Sequence, residues 1–122
     1  MVQTPIVSLD IARAYLRVDS HDEDALIGIL LKSAEQMAME VARLSASDWE
    51  TIQKVKTDDD GNVLTIHTRK LKPATIVERR KLLRTAILYT VAYLYEHREE
   101  ADYHDLNLTL RNLLFAIREG VV

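Results

Sequence analysis

The sequence predicts an all-α fold: a helical bundle of two long and two shorter helices, with a small β-hairpin or irregular excursion between the long pair. Three observations carry this. Apolar residues recur at helical spacing along two long stretches, from Leu26 to Leu44 and from Leu82 to Tyr95. Residues that favour helix starts stand ahead of each stretch. The strongest turn signal, Asp58-Asp59-Asp60-Gly61-Asn62, lies between the two and is flanked by alternating β-branched residues. A length of 122 residues supports one domain spanning 1–122.

Ser8 is a good N-cap for a short first helix with Leu9, Ala12 and Leu16 on one face, ending near Leu16 or Arg17. Asp19 and Ser20 break the chain. Asp22 is positioned to cap the second helix, and Glu23 and Asp24 suit the positive end of its dipole. Alanines at 34, 38 and 42 permit close approach of another helix. Ser47-Asp48-Trp49-Glu50 has the form of a capping box and predicts a single helical turn. The hairpin of residues 54–68 is marginal alone and has to lean on the helices or on another chain. Pro73 and the capping-box pattern Thr75-Ile76-Val77-Glu78 open the third helix, which runs to Glu99 or Glu100. Asp105 is the expected cap of the last helix, built on Leu106, Leu110, Leu113, Leu114 and Ile117 and stopped by Gly120.

The net charge of −3 conceals an asymmetry: residues 1–60 carry −6, residues 61–90 carry +6, and residues 91–122 carry −3. The basic middle is Arg69, Lys70, Lys72, Arg79, Arg80, Lys81 and Arg84. Charge runs are usually a solvated face; a sharper reading is a basic face meeting an acidic face on a neighbouring copy. Overall acidity argues against nucleic acid as the main partner. No apolar run is long enough to span a bilayer, no signal peptide is visible, and the absence of cysteine fits an intracellular protein.

Two helix-boundary segments set the chain apart from a generic helical domain. Leu16-Arg17-Val18-Asp19 followed by Asp22-Glu23-Asp24-Ala25-Leu26 closes one helix and opens another; Tyr95-Glu96-His97-Arg98 ends the second long helix, and a leucine-rich helix from Leu110 to Arg118 follows. In this order, over residues 8–44 and 73–122, they resemble the small head–tail connector (adaptor) proteins of tailed bacteriophages. The resemblance implies a non-enzymatic structural subunit at the virion neck, held in the host cytoplasm before assembly. Its partners would be the portal protein, a tail-completion or stopper protein, and further copies of itself in a ring, dodecameric like the portal. DNA would pass through that ring without being specifically bound. The runner-up is a small helical DNA-binding regulator using residues 69–84, and a small helical enzyme ranks third.

No cofactor, metal or catalytic site is expected. Asp58, Asp60 and Asn62 suggest a calcium loop, but Val63 stands where that motif needs glycine and Arg69 where it needs a carboxylate. His97, Glu100 and His104 straddle a helix end. Asp22, Glu23 and Asp24 are favoured at a helix N-terminus without any catalysis. No nucleophile motif or phosphate-cradling glycine loop is present. The candidate subunit interface therefore consists of Asp22, Glu23 and Asp24 on one side and Arg80, Lys81 and Arg84, expected to face away from the apolar stripe, on the other. Tyr93 joins it as the tyrosine off that stripe. Trp49 reads as a core plug or, second, as an interface anchor. Arg98 and Arg118 read as helix-end charges, with Asp19 or Asp22 as alternative ion-pair partners.

Overall fold

The computed structural model describes residues 5–58, 62–66 and 71–120. Among these, six helices and one two-stranded antiparallel sheet are formed. The fold is thus helical with a β-hairpin rather than strictly all-α.

Helix α1 (Leu9–Leu16) begins where expected: Ser8 is extended and its hydroxyl accepts from the Ile11 amide at 3.1 Å. It ends in a Schellman turn, the Arg17 and Val18 amides donating to the Ala14 and Arg13 carbonyls, with Arg17 left-handed at φ 60°. Helix α2 (Asp24–Val41) starts one residue after Glu23, whose side chain makes no cap bond. The predicted Asp22 cap is therefore absent. The Glu23 carboxylate is engaged elsewhere, as described below. A second Schellman turn closes α2 around Arg43, at φ 59°.

Helix α3 (Ala46–Gln53) is a full two turns rather than one. Its capping box is formed by Ser45 and Asp48, not Ser47 and Glu50, because Ser45 is the residue in extended conformation; its hydroxyl accepts from the Asp48 amide at 3.1 Å. The hairpin follows as β1 (Val55–Thr57) and β2 (Val63–Ile66), pairing Val55 with Ile66 and Lys56 with Thr65 before an irregularity at Thr57. Asp58 and Asn62 close its neck through two reciprocal bonds, and the Asp-Gly tip predicted at 59–61 lies outside the described residues. Val55 is fully buried at the hairpin's base, and Val63 of β2 lines a recess together with Val77 and Arg80 of α4.

Helix α4 (Pro73–Glu96) starts at Pro73, whose missing N–H costs nothing at the first helical position. The Thr75–Glu78 pattern thus lies inside the helix and caps nothing. The helix stops at Glu96, short of the predicted Glu99. Asp102, not Asp105, caps α5 (Tyr103–Leu113), its carboxylate accepting from the Asp105 amide at 3.0 Å. The predicted last helix is interrupted at Leu114 and resumes as α6 (Phe115–Arg118); Gly120, at φ 69°, terminates it as expected.

The two long helices pack against each other, and the start of α2 lies at the end of α4, so they run antiparallel. Their shared core is Ile27, Leu31, Ala34 and Ala38 from α2 with Leu83, Ile87, Val91 and Leu94 from α4. Fully buried alanines at 34, 38 and 42 supply the close approach their small size predicts. Leu106, Leu110, Leu114 and Ile117 complete the core from α5 and α6.

Candidate functional site

The acidic segment at the head of α2 is held by its own chain. Tyr95 donates from its hydroxyl to Glu23 Oε1 at 2.6 Å, and Arg98 approaches Glu23 Oε2 at 3.5 Å while lying 5.1 Å from the Tyr95 ring centroid. The bond to the Glu23 carboxylate is the main reason the Tyr95 phenol titrates above its ordinary range. Arg98 thus meets Glu23, not Asp19 or Asp22. Asp24 pairs with Arg13 of α1 at 3.0 Å and with His21 at 2.9 Å, and Arg13 also reaches Asp10. Asp22 is exposed. The helix boundary at Glu23 and the one at Tyr95–Arg98, more than seventy residues apart in sequence, therefore meet at one corner.

Next to that corner, Tyr93 is half-buried and stacks on His97 with ring centroids 4.2 Å apart. Its hydroxyl accepts from the Asp102 amide at 2.8 Å. The contact orients the α4–α5 turn and leaves only part of the ring available as a surface. Among the described residues, no group of three His, Asp or Glu side chains is arranged to hold a metal ion.

The basic segment is split by the structure. Arg69 and Lys70 lie outside the described residues. Arg80 is 5% exposed, contrary to the outward orientation expected of it. Its guanidinium donates to the Ile52 carbonyl at 3.1 Å and the Pro5 carbonyl at 3.3 Å, tying α4 to the end of α3 and to the N-terminal segment. Burial, followed by the nearby charge of Arg84, lowers its pKa to about 10. Arg80 is thus an internal tie and not a surface charge. Lys81 is exposed and Arg84 half-buried. All three line a recess of about 270 Å3 with Ile6, Asn62, Val63 and Val77. The acidic corner sits at the end of α4 and this recess toward its start, roughly 24 Å apart along the helix axis. A single chain does not bring them together.

A third feature escaped sequence reasoning. Between α2 and α3 runs a trough of about 360 Å3 lined by Lys32, Glu35, Gln36, Met39, Ala46 and Trp49. Trp49 is half-buried, resting on the core with one side open to the trough. Burial holds the Glu35 carboxyl above the ordinary glutamate range, with Lys32 opposing the shift. The spacing of Lys32, Gln36 and Met39 reads as an ordinary solvated flank; only the return of α3 against it makes a trough.

Arg118 donates to the Val41 carbonyl at 2.7 Å, satisfying an open carbonyl at the end of α2 and locking α6 there. No helix among the described residues is long and apolar enough to cross a membrane. Comparisons with protein-family models, curated proteins and solved structures find no match to this chain.

Proposed function

We propose that this chain is a subunit of a bacteriophage or prophage head–tail connector ring, docking on the portal, extending the DNA channel and offering a platform to a tail-completion or stopper protein. The observation that carries the reading is the corner where Glu23 meets Tyr95 and Arg98. The residues in which the chain resembles the connector proteins are thereby parts of one structural element rather than two unrelated helix ends. The helix order fits as well: a short helix, two long antiparallel helices flanking an excursion, and a leucine-rich close. The work of such a subunit is assembly. Asp22, exposed beside the end of α4, and Lys81, exposed toward its start, suit head-to-tail contacts between neighbours, which close a ring by rotation. Dodecameric stoichiometry follows from a portal of that symmetry.

The regulator alternative loses weight because Arg80, in the middle of its basic segment, is consumed inside the fold. The test is to mix the purified chain with a portal protein from the same genome and image the mixture by electron microscopy. A ring of subunits on the portal is expected. Absence of portal binding, together with duplex-DNA binding that weakens steeply with salt, would overturn the reading in favour of the regulator.

A further inference from the structure

We propose that the hairpin and the first turns of α4 form a unit that opens separately from the bundle, and that Arg80 is the clasp that shuts it. The proposal is independent of the connector reading.

The continuous core takes Ile6 and Val7 from the N-terminal segment, Ile52 from α3, and α4 side chains from Leu82 onward. Val55 of β1 and Ile76 of α4 are fully buried yet stand outside it. Of the described apolar residues from Val55 to Val77, only Leu71 packs against that core, and it is itself half-buried. Val63 of β2 and Val77 of α4 instead share the recess of about 270 Å3 with Arg80, so side chains do not fill the seam between hairpin and helix. The start of α4 is weak by itself, since it has no side-chain cap and Pro73 brings no N–H. A hairpin of two strands is marginal alone. Two weak elements thus lean on each other beside a core that largely passes them by.

Arg80 stands at their border with the bundle. Its guanidinium reaches the carbonyls of Ile52 at 3.1 Å and Pro5 at 3.3 Å, both on the bundle side. These charge-assisted bonds hold the start of α4 against α3 and the N-terminal segment at once. The clasp is nonetheless weaker than its bonds suggest. Burial and the nearby charge of Arg84 disfavour the cation in the closed form, and opening returns it to water. Such a balance suits a unit that opens without unfolding the rest. With one clasp serving both elements, whatever holds the hairpin shut also holds the first turns of α4.

Amide hydrogen exchange of the full chain, followed by NMR, reads the opening residue by residue. The amides of β1 and β2 and those of Ile76 to Arg79 are expected to share one opening constant, at least about tenfold larger than that of Leu31 and Val91 in the bundle. Arg80→Met keeps the stem and should raise the shared constant about tenfold. Ile87→Val, inside the bundle, should speed exchange at Leu31 and Val91 about fivefold and leave the unit at wild-type rates. Val63→Ala, which serves if the methionine variant does not fold, should quicken exchange at Ile76 to Arg79 as much as within the strands. Strands and α4 start opening with different constants, or the unit responding to Ile87→Val as strongly as the bundle, overturns the proposal. So does acceleration by Val63→Ala confined to the strands, and so do wild-type rates throughout the unit in Arg80→Met.

Discussion

Removing Arg80 tests whether a buried charge holds the N-terminal segment to the helices. The guanidinium makes at least two charge-assisted hydrogen bonds, to the carbonyls of Ile52 and Pro5. Such bonds contribute about 1.5–3 kcal/mol each, and a buried carbonyl left without a donor costs about 1–3 kcal/mol. Against this, the mutant no longer desolvates a cation, a relief of several kcal/mol. The aliphatic stem also fills space beside Ile6, which is 2% exposed. Arg80→Ala loses bonds and stem together and should destabilise by about 2–4 kcal/mol, the cost of orphaned carbonyls plus the lost packing of the stem. Arg80→Met keeps the stem and sheds the charge, so about 1–2 kcal/mol is expected. Urea unfolding followed by circular dichroism gives both values, and hydrogen exchange at Ile6 and Val7 should accelerate in the alanine variant before global unfolding does. If Arg80→Ala costs less than about 0.5 kcal/mol, as an exposed arginine would, the tie is not formed. Charge reversal at Arg80 is accordingly a folding mutation, and the surface role of the basic segment has to be tested at Lys81.

Ile87→Ala, fully buried between the long helices, should cost about 3–5 kcal/mol, and Leu30→Ala, only half-buried on the flank of α2, about 1–2 kcal/mol by the same unfolding assay. Arg17→Gly and Arg43→Gly relieve left-handed conformations at two helix ends and should each raise stability by about 0.5–1 kcal/mol; a loss at both would refute the strain. Because the Glu35 pKa is raised in the folded state, the folded protein holds that proton more tightly than the unfolded chain. Stability attributable to this group therefore falls as pH rises from the ordinary glutamate value through the folded-state value. Glu35→Gln should be more stable than wild type at neutral pH, and the gap should close below about pH 4 in melts run across pH.

Periodicity located both long helices because their apolar faces pack against each other, as the alanine and leucine spacing implied. Ser8 was legible as a cap because the apolar pattern begins directly after it. Boundaries failed where two residues compete for one role. Ser45 and Ser47 both precede an acid by three, and only backbone conformation decides between them. The same holds for Asp102 and Asp105. The break at Leu114 carries no glycine or proline and so left no mark. Arg80 was misread because a cation in a charge run reads as solvated, and its partners are backbone carbonyls 28 and 75 residues away, which no side-chain pattern reveals. The trough at Trp49 needed the return of α3, a tertiary event. The corner at Glu23 was half-legible: Arg98 was expected to pair with Asp19 or Asp22, and it meets Glu23 instead, alongside Tyr95.

Both ends of α2 are secured by side chains that follow them by more than seventy residues: Tyr95 and Arg98 at the head, Arg118 at the tail. During translation at 5–20 residues per second, roughly 4–15 s separate the emergence of each end from that of its fastener. Throughout that interval α2 is a helix without its closures, and its alanine face waits for α4. A subunit truncated before Arg118 would leave the ribosome with this central helix still open at one end. Completion of the polypeptide thus sets the earliest moment at which the first long helix is fastened at both ends.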